Sequence, residues 1–540
     1  MPTISLNKKV FEELVGKKLS LDKLKERISM LGTDLEKIDD NEIHVEIFPN
    51  RPDMLSEQGF ARAFSSFIGE KTGLRKYKIY DSTYKMKIEQ SVKEVRPYTA
   101  CCVVKNLVMD DEKIKEIIQI QEKLHITYGR NRKKVAIGIY PLDKIKMPIK
   151  FVGVKPKDIK FVPLESNREM NGNEILENHP AGKEYGHLLE GKKVFPLFVD
   201  ANNNVLSIPP IINSELVGRV DEKTKDVFIE CSGFDYETLS KCLNMIVTAL
   251  ADMGGKIYSM EIDMYGKKVI SPNLNPSEMK IDLNYINNWL GLELKEKDLK
   301  ILLEKMGFGY ENKKALIPSY RSDILHQVDL AEDIAIAYGY ENINEEIPKV
   351  ATIGQESEDA VKERKISEIL SGLGFLECKT YHIVNRESQT NMMDVKKDMI
   401  ELANALNADF DVMAAWIMPS LFEVLKGNRQ REYPQNIFTI GGVFSKGNTD
   451  TGIEEKQNLS CLMCGEDVDF TKIKQVLDYV FRMIGRECKI KETKHNSFIE
   501  GRVGSVVVNG KDIGIIGEIS PQVLENWELK FPVVGFEISL

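Results

Sequence analysis

The chain has 540 residues, 42 % of them apolar and 29 % charged, with a formal net charge of -9. That is the balance of ordinary globular domains, and at roughly 100–200 residues apiece it allows about three to five of them. The negative balance excludes a protein that grips nucleic acid non-specifically by neutralising many phosphates, and leaves room for an RNA partner met through local basic patches.

In chain order, the start Met1-Pro2-Thr3-Ile4 lacks a charged segment followed by an apolar one, so no signal peptide is predicted. The first block, 1–85, mixes short strand and helix patterns, with apolar residues at helical spacing over Asp22 to Met30 and Phe60 to Phe67. The second, 88–265, is richer in β-like runs such as Val135 to Ile139 and Val194 to Val199. It closes on a helix pattern from Tyr236 to Met253, ended by Gly254-Gly255. A third block covers 270–346, and an acidic linker from Glu345 to Asp359 leads into the fourth, 355–540. There helices (Lys362 to Leu373, Phe470 to Ile484) alternate with strands (Ile437 to Ile440, Gly504 to Val508, Val533 to Ile538), which predicts an antiparallel-rich α+β domain. Cys461 and Cys464 form a lone C-x-x-C without the second pair that zinc would want, and read as two cysteines on alternate faces of a buried strand. Eight cysteines at this length make no disulfide framework, and no stretch reaches the ~18 apolar residues that span a bilayer. A reduced, cytoplasmic protein with no membrane partner is predicted.

One internal repeat is visible. Ile4-Ser5-Leu6-Asn7 and Ile281-Asp282-Leu283-Asn284 each precede a helix pattern, ending at Leu31-Gly32 and Met306-Gly307. Each copy then offers a strand and a matching pentapeptide, Arg51-Pro52-Asp53-Met54-Leu55 or Arg321-Ser322-Asp323-Ile324-Leu325, followed by a helix. A small helix–strand–helix module used twice is predicted. The copies differ in charge: Asp329, Glu332 and Asp333 stand where the first has Gly59, Arg62 and Ala63. At spacing i, i+3, i+4 these acids share one helix face, with Asp323 in the turn before them, and like charges so placed repel one another. Two readings are open: a hard divalent ion bound through carboxylate oxygens, or acids favoured at a helix start by its dipole.

The string Pro318-Ser319-Tyr320-Arg321-Ser322-Asp323-Ile324-Leu325 with Asp329, Glu332, Asp333 and Tyr338-Gly339-Tyr340 resembles the signature of phenylalanyl-tRNA synthetase β subunits. Phe48 to Ser56, Gly129 to Gly138, Ile208 to Ser214, Asn496 to Arg502 and Gly517-Glu518-Ile519 with Val523 to Trp527 are similar to further segments of the shorter archaeal and eukaryotic form, in the same order along the chain. The resemblance implies that Asp323, Asp329, Glu332 and Asp333 hold one Mg2+ at the contact with an α subunit. Asp333 departs from the usual Glu.

It further implies a multidomain α+β protein. Two copies of the module flank an α/β editing-type domain, and a class II synthetase-like domain without catalytic residues follows. The assembly expected is an α2β2 heterotetramer that uses ATP to attach phenylalanine to tRNA-Phe. Its editing domain would hydrolyse mischarged Tyr-tRNA-Phe, because one hydroxyl is a weak basis for rejection in a pocket built for an apolar ring. Asn213 and Ser214, after Pro209-Pro210, are candidate donors in that pocket, and Glu230 and Asp235 candidate acceptors for the tyrosine hydroxyl. As plain residues they equally read as turn caps and a solvated strand face. Tyr140-Pro141 stands where the family often has His-Asp. Arg130, Arg132, Lys133 and Lys134 are candidate RNA contacts, or a solvated charged loop. In the last block Ala414, Thr439 and Gly442 replace an Arg and two acids of the family pattern, and their joint absence suggests a lost ion-pair network. No P-loop pattern occurs. Two rivals remain: a stand-alone hydrolase of mischarged tRNA, and a structural paralogue that binds RNA or protein.

Overall fold

The computed structural model describes residues 2–347, 354–407 and 409–540. The chain divides into two compact units, Met1–Ile347 and Pro348–Leu540. Residues 348–353, in the middle of the predicted linker, lie outside the described residues.

The first unit opens with β1 (Thr3–Asn7), α1 (Lys8–Val15), α2 (Leu21–Met30), β2 (Asp34–Ile38), β3 (Glu42–Glu46) and α3 (Glu57–Phe67). Asn7 caps α1 by accepting hydrogen bonds from Lys9 N and Val10 N, and Gly16 ends it with φ 85°, a conformation that glycine adopts without strain. The predicted single helix through Leu31 is therefore two helices. Helix α3 starts earlier than the apolar spacing suggests, because Ser56 caps it through Gly59 N.

A two-sheet body follows. Its elements are β4 (Ile79–Tyr80), β5 (Lys85–Ile88), β6 (Tyr98–Lys105), α4 (Asp111–Ile126), β7 (Val135–Pro141), β8 (Ile149–Val154), short helices α5 (Gly172–Asn178) and α6 (Pro180–Tyr185), β9 (Phe195–Val199), β10 (Val205–Ile208), β11 (Ile212–Asn213), β12 (Val227–Gly233), α7 (Tyr236–Asp252), β13 (Lys256–Tyr258), β14 (Met260–Met264) and β15 (Lys267–Ser271). Five strands run in the order β4-β13-β6-β12-β7 and seven in the order β11-β10-β9-β8-β5-β14-β15. Alternate residues of the five-stranded sheet face opposite ways. Cys101, Val103, Tyr140 and Phe228 pack with Met86, Phe151, Phe198 and Ile262 of the other sheet. Cys102, Val104, Ile137, Ile139 and Ile229 pack under α4 and α7. With both faces covered, every residue of β12 is buried.

The unit ends with β16 (Ser277–Lys280), α8 (Leu283–Leu290), α9 (Glu296–Lys305), β17 (Gly309–Glu311), β18 (Lys314–Ile317) and α10 (Gln327–Tyr338). The order of elements repeats the opening of the chain, and the strand orders β1-β3-β2 and β16-β18-β17 are equivalent. The tetrapeptides matched by sequence are not equivalent. Ile4 to Asn7 is strand, whereas Ile281 to Asn284 enters a helix. The structural counterpart of the cap Asn7 is Asp282, which accepts from Asn284 N, and Gly16 corresponds to Gly291 with φ 65°. The two modules touch reciprocally. Ser66 Oγ of α3 donates to Glu304 O of α9 at 2.9 Å, and Arg27 of α2 pairs with Glu341 beyond α10 at 2.7 Å.

The second unit contains α11 (Glu358–Gly372), β19 (Leu376–Glu377), β20 (Ile383–Val384), α12 (Arg386–Gln389), β21 (Val412–Met413), α13 (Met418–Gly427), β22 (Gln435–Lys446), β23 (Ile453–Cys464), α14 (Phe470–Met483), β24 (Lys489–Glu492), β25 (Phe498–Val508), β26 (Lys511–Ile519), α15 (Pro521–Asn526) and β27 (Val533–Ser539). Seven strands run β19-β22-β23-β27-β26-β25-β24, antiparallel except for β19 beside β22. Phe438, Cys461 and Phe536 face α11 and α14. Ile437, Leu462 and Cys464 face α13 and α15. Cys461 and Cys464 thus lie on opposite faces of β23, both buried and free.

Candidate functional site

Two clusters in the first unit contain candidate residues. The first lies at the start of α10. Arg321 forks onto Asp323 with bonds of 2.8 and 2.6 Å, and its Nη2 also reaches Asp333 at 2.7 Å. Burial opposes the charge on Arg321, but Asp333 and Asp323 hold its guanidinium protonated above its ordinary range. Burial likewise pushes the Asp333 carboxyl up, against the pull of Arg321. The first module contains the counterpart: Arg51 forks onto Asp53 at 2.9 and 2.9 Å, buried and close enough to feel both Arg321 and Asp323. At the position of Glu332 the first module has Arg62, a buried guanidinium that bonds Asp252 at 2.7 Å and lies 4.1 Å over the Tyr320 ring.

Asp329 does a different job. Its Oδ2 accepts from Leu325 N at 2.7 Å and His326 N at 2.8 Å, closing a capping box at the start of α10. Glu332 is exposed. So the four predicted ligands do not converge. Two are taken by a guanidinium, one by backbone amides, and one faces solvent. As placed they do not fit an ion, and among the described residues no group of three or more His, Cys, Asp or Glu is arranged to hold a metal. The helix-start reading describes Asp329.

The second cluster lies between the two sheets. Glu230 is 2 % exposed and sits opposite Gly138 of β7. Its Oε1 accepts from the Tyr140 hydroxyl at 3.3 Å, while Oε2 has no hydrogen-bond partner. The same hydroxyl is 2.8 Å from Ser207 Oγ and 3.4 Å from Asn213 Oδ1. Burial pushes the Glu230 carboxyl up to about 8, although Arg96 and Tyr140 favour the charged form. Arg96 is itself buried, its pKa lowered to about 10 by burial, and it is held on Ser232 Oγ and O. Gly138 cannot be replaced cheaply, since a Cβ there would come within 2.2 Å of the Tyr140 hydroxyl and 2.6 Å of Glu230 Oε1. A buried carboxyl whose charge is opposed by burial, with one oxygen unpaired, is equipped to exchange hydrogen bonds with a buried polar ligand.

Of the other predicted residues, Ser214 lies nearby but buried, its Oγ accepting from Leu216 N at 3.2 Å as in a turn. Asp235 stands apart: it is exposed and caps α7 through Thr238 N and Oγ1 at 2.8 and 2.6 Å, bonds that lower its pKa. Ser207, Arg96 and Tyr140 were missed as site residues. Gly138 inside a strand run was the available signal for a close approach there.

Arg130, Lys133 and Lys134 are exposed in the turn between α4 and β7. Arg132 is turned inward, donating to Ile211 O at 3.1 Å and Glu122 at 3.1 Å while stacking 4.2 Å from the Tyr185 ring. Arg130, Asn131 and Arg132 all have φ between 50 and 64°, a run that non-glycine residues seldom adopt.

In the second unit Ala414 is buried and donates its N–H to His382 O at 2.8 Å. A Cβ on Gly442 would come within 3.6 Å of His382 Nε2. His382 therefore lies against both departures from the family pattern, edge-on to Phe444. Thr439 is a separate matter, buried with its hydroxyl unpartnered. The nearby Glu537 carboxylate accepts from Ile417 N, Met418 N and Asn458 Nδ2, capping α13.

Residues 84–245 match the B3/4 domain, 279–340 the tRNA synthetase B5 domain, and 343–540 the phenylalanyl-tRNA synthetase β chain CLM domain. The chain is 40 % identical over its whole length to the phenylalanine–tRNA ligase β subunit of Thermococcus sibiricus, covering 98 % of that protein. It is also 40 % identical to the same subunit of Pyrococcus abyssi, covering 99 % of it. A crystal structure of an N-terminal fragment of the Pyrococcus horikoshii phenylalanyl-tRNA synthetase β subunit superimposes with TM-score 0.60 and 38 % identity, over 62 % of this chain and 99 % of the fragment. On this likeness over its full length, the chain belongs to the β subunits of phenylalanine–tRNA ligase.

Proposed function

We propose that this chain works beside a catalytic α subunit in attaching phenylalanine to tRNA-Phe at the expense of ATP, and that its two-sheet body hydrolyses Tyr-tRNA-Phe made in error. The observation that carries the second half is Glu230, an under-bonded acid in the block that matches the B3/4 domain. A tyrosine hydroxyl offers such a group what a phenylalanine ring cannot, and an unpaired buried polar group is what discriminates strongly. Asn213 and Ser214 are proposed to line the approach of the ester, while Asp235 serves as a helix cap.

The assembly proposed is α2β2, in the cytoplasm, with Arg130, Lys133 and Lys134 as the residues free to meet tRNA phosphates. Among the described residues no helix is long and apolar enough to cross a membrane. The division proposed is 1–85 and 270–346 as two copies of one module, 88–265 as the proofreading domain, and 355–540 as a synthetase-like domain that binds no ATP. The small contacts around Ala414 and Gly442 support this last point, since a triphosphate needs cationic clamps and metal ligands. ATP and Mg2+ serve the ligase complex.

The test is to purify the chain alone and with an α subunit. Charging that appears only on mixing, together with Tyr-tRNA-Phe hydrolysis lost in Glu230→Ala, is the expected outcome. Unchanged hydrolysis in that variant removes Glu230 from the pocket. Deacylation by the chain alone favours the stand-alone hydrolase, and inactivity in both assays favours the structural paralogue.

A further inference from the structure

The interior around Glu230 already contains a phenol. Tyr140, near the end of β7, is fully buried, and its ring stacks on Phe228 with centroids 5.9 Å apart. Its hydroxyl is 2.8 Å from Ser207 Oγ, 3.3 Å from Glu230 Oε1 and 3.4 Å from Asn213 Oδ1. Two of the residues expected to meet a tyrosyl ester, Asn213 and Glu230, are thus gathered around a tyrosine of the chain itself. Gly138 keeps the space beside that hydroxyl clear, and a methyl group there would collide with it. The Tyr140 phenol occupies the side of Glu230 that faces Ser207 and Asn213.

We propose that Tyr140 is a built-in occupant of the proofreading pocket, its phenol taking the place on Glu230 that the phenol of a misacylated tyrosyl ester would take. The ester gains the pocket only when the Tyr140 side chain rotates out. This rests on the reading of the B3/4 block as the proofreading domain.

The physical consequence is a uniform penalty. An occupied site lowers the apparent affinity of every entrant by the fraction of time it is open. A tyrosyl ester replaces the displaced hydrogen bond with its own hydroxyl. A phenylalanyl ester cannot, and leaves the buried carboxyl of Glu230 without that bond. The Tyr-to-Phe ratio is unchanged by the occupant, but the absolute rate at which correct Phe-tRNA-Phe is destroyed falls. That matters because the correct product is far more abundant than the error. A plain core role for Tyr140 predicts something different: its hydroxyl would add stability and have no bearing on the concentration dependence of hydrolysis.

The experiment uses the complete ligase with Tyr140→Phe, which keeps the ring and removes the anchor. Deacylation of Tyr-tRNA-Phe and Phe-tRNA-Phe is followed over a range of tRNA concentration. The KM for Tyr-tRNA-Phe is expected to fall about fivefold with kcat little changed, and Phe-tRNA-Phe hydrolysis to rise by about the same factor. Tyr140→Ala, which empties the space, is expected to give a larger fall in KM together with a lower Tm. An unchanged or raised KM in Tyr140→Phe, with wild-type hydrolysis intact, overturns the occupant and leaves the proofreading domain standing. If neither the wild type nor either variant deacylates Tyr-tRNA-Phe while charging is normal, the proofreading reading fails and the occupant fails with it.

Discussion

The start of α10 and the interior around Glu230 use carboxylates in opposite ways. Asp323, Asp329 and Asp333 are each matched by a guanidinium or by backbone amides within the first unit. Glu230 is as buried as any of them, yet its Oε1 has one long bond from Tyr140 and its Oε2 has none, with Arg96 and Ser232 only partly offsetting its burial. A matched acid is a fastening: its energy is already committed to the fold, and it has little left for a ligand. An under-matched buried acid is costly to the fold, which makes it the better candidate for chemistry. Density of acids along a sequence therefore pointed to the fastening, while the single acid in an apolar strand was the informative one.

The modules sharpen the same point. Arg51 and Arg321 are both buried and repel one another. Asp333, with no equivalent in the first module, supplies a second carboxylate to Arg321 where Ala63 supplies none to Arg51. That contact accounts for Asp333, whereas Asp329 closes the capping box of α10 and Glu332 faces solvent.

The largest effect is expected from Arg321→Met, which leaves Asp323 and Asp333 buried without a cation. A loss of about 3–5 kcal/mol is expected in the unfolding of the first unit by denaturant. A midpoint within error of wild type would show that these acids are not matched as described.

Glu230→Gln should act in the other direction. Burial raises the folded pKa of Glu230 from 4.5 to about 8, so the folded state prefers the protonated form. Stability is then complete below about pH 4.5 and is lost as pH rises toward 8. The glutamine variant removes that loss and should exceed wild type by on the order of 5 kcal/mol at pH 9, with little difference at pH 4. A difference that does not change between these pH values would mean that Glu230 is paired after all.

Asp329→Ala removes the carboxylate of a capping box and should cost about 1 kcal/mol. The same variant was the natural test of a metal ligand, which would instead weaken association with an α subunit more than it weakens the fold. The smallest effect is expected from chelation. Treating the isolated chain with EDTA should leave its Tm unmoved, and a fall of several degrees would restore the ion to the start of α10.

Much of the fold was legible locally. The Tyr236–Asp252 helix, the core strands of the last block and the opposed cysteines of β23 follow from spacing, because period and burial are local properties. The repeat was legible in its elements and misaligned at its start. Short tetrapeptides match by accident, whereas the caps Asn7 and Asp282 occupy the same structural place with different residues. The break between α1 and α2 was overlooked, although Gly16 marked it. Asp235, a candidate acceptor by resemblance, lies beyond the end of β12, where the chain has already turned to begin α7.

The sequence by itself determined the family, the α+β character and the location of the acids, since these rest on residue order and on periodicities of two and 3.6. Only the tertiary structure decided which acids are spoken for. Asp333 meets Arg321 across a turn, and Glu230 meets Tyr140 across a strand pair, with Ser207 brought in from the opposite sheet. Whether a carboxylate is free depends on partners distant along the chain, and on whether water or a neighbouring side chain satisfies its oxygens, and no local pattern encodes that.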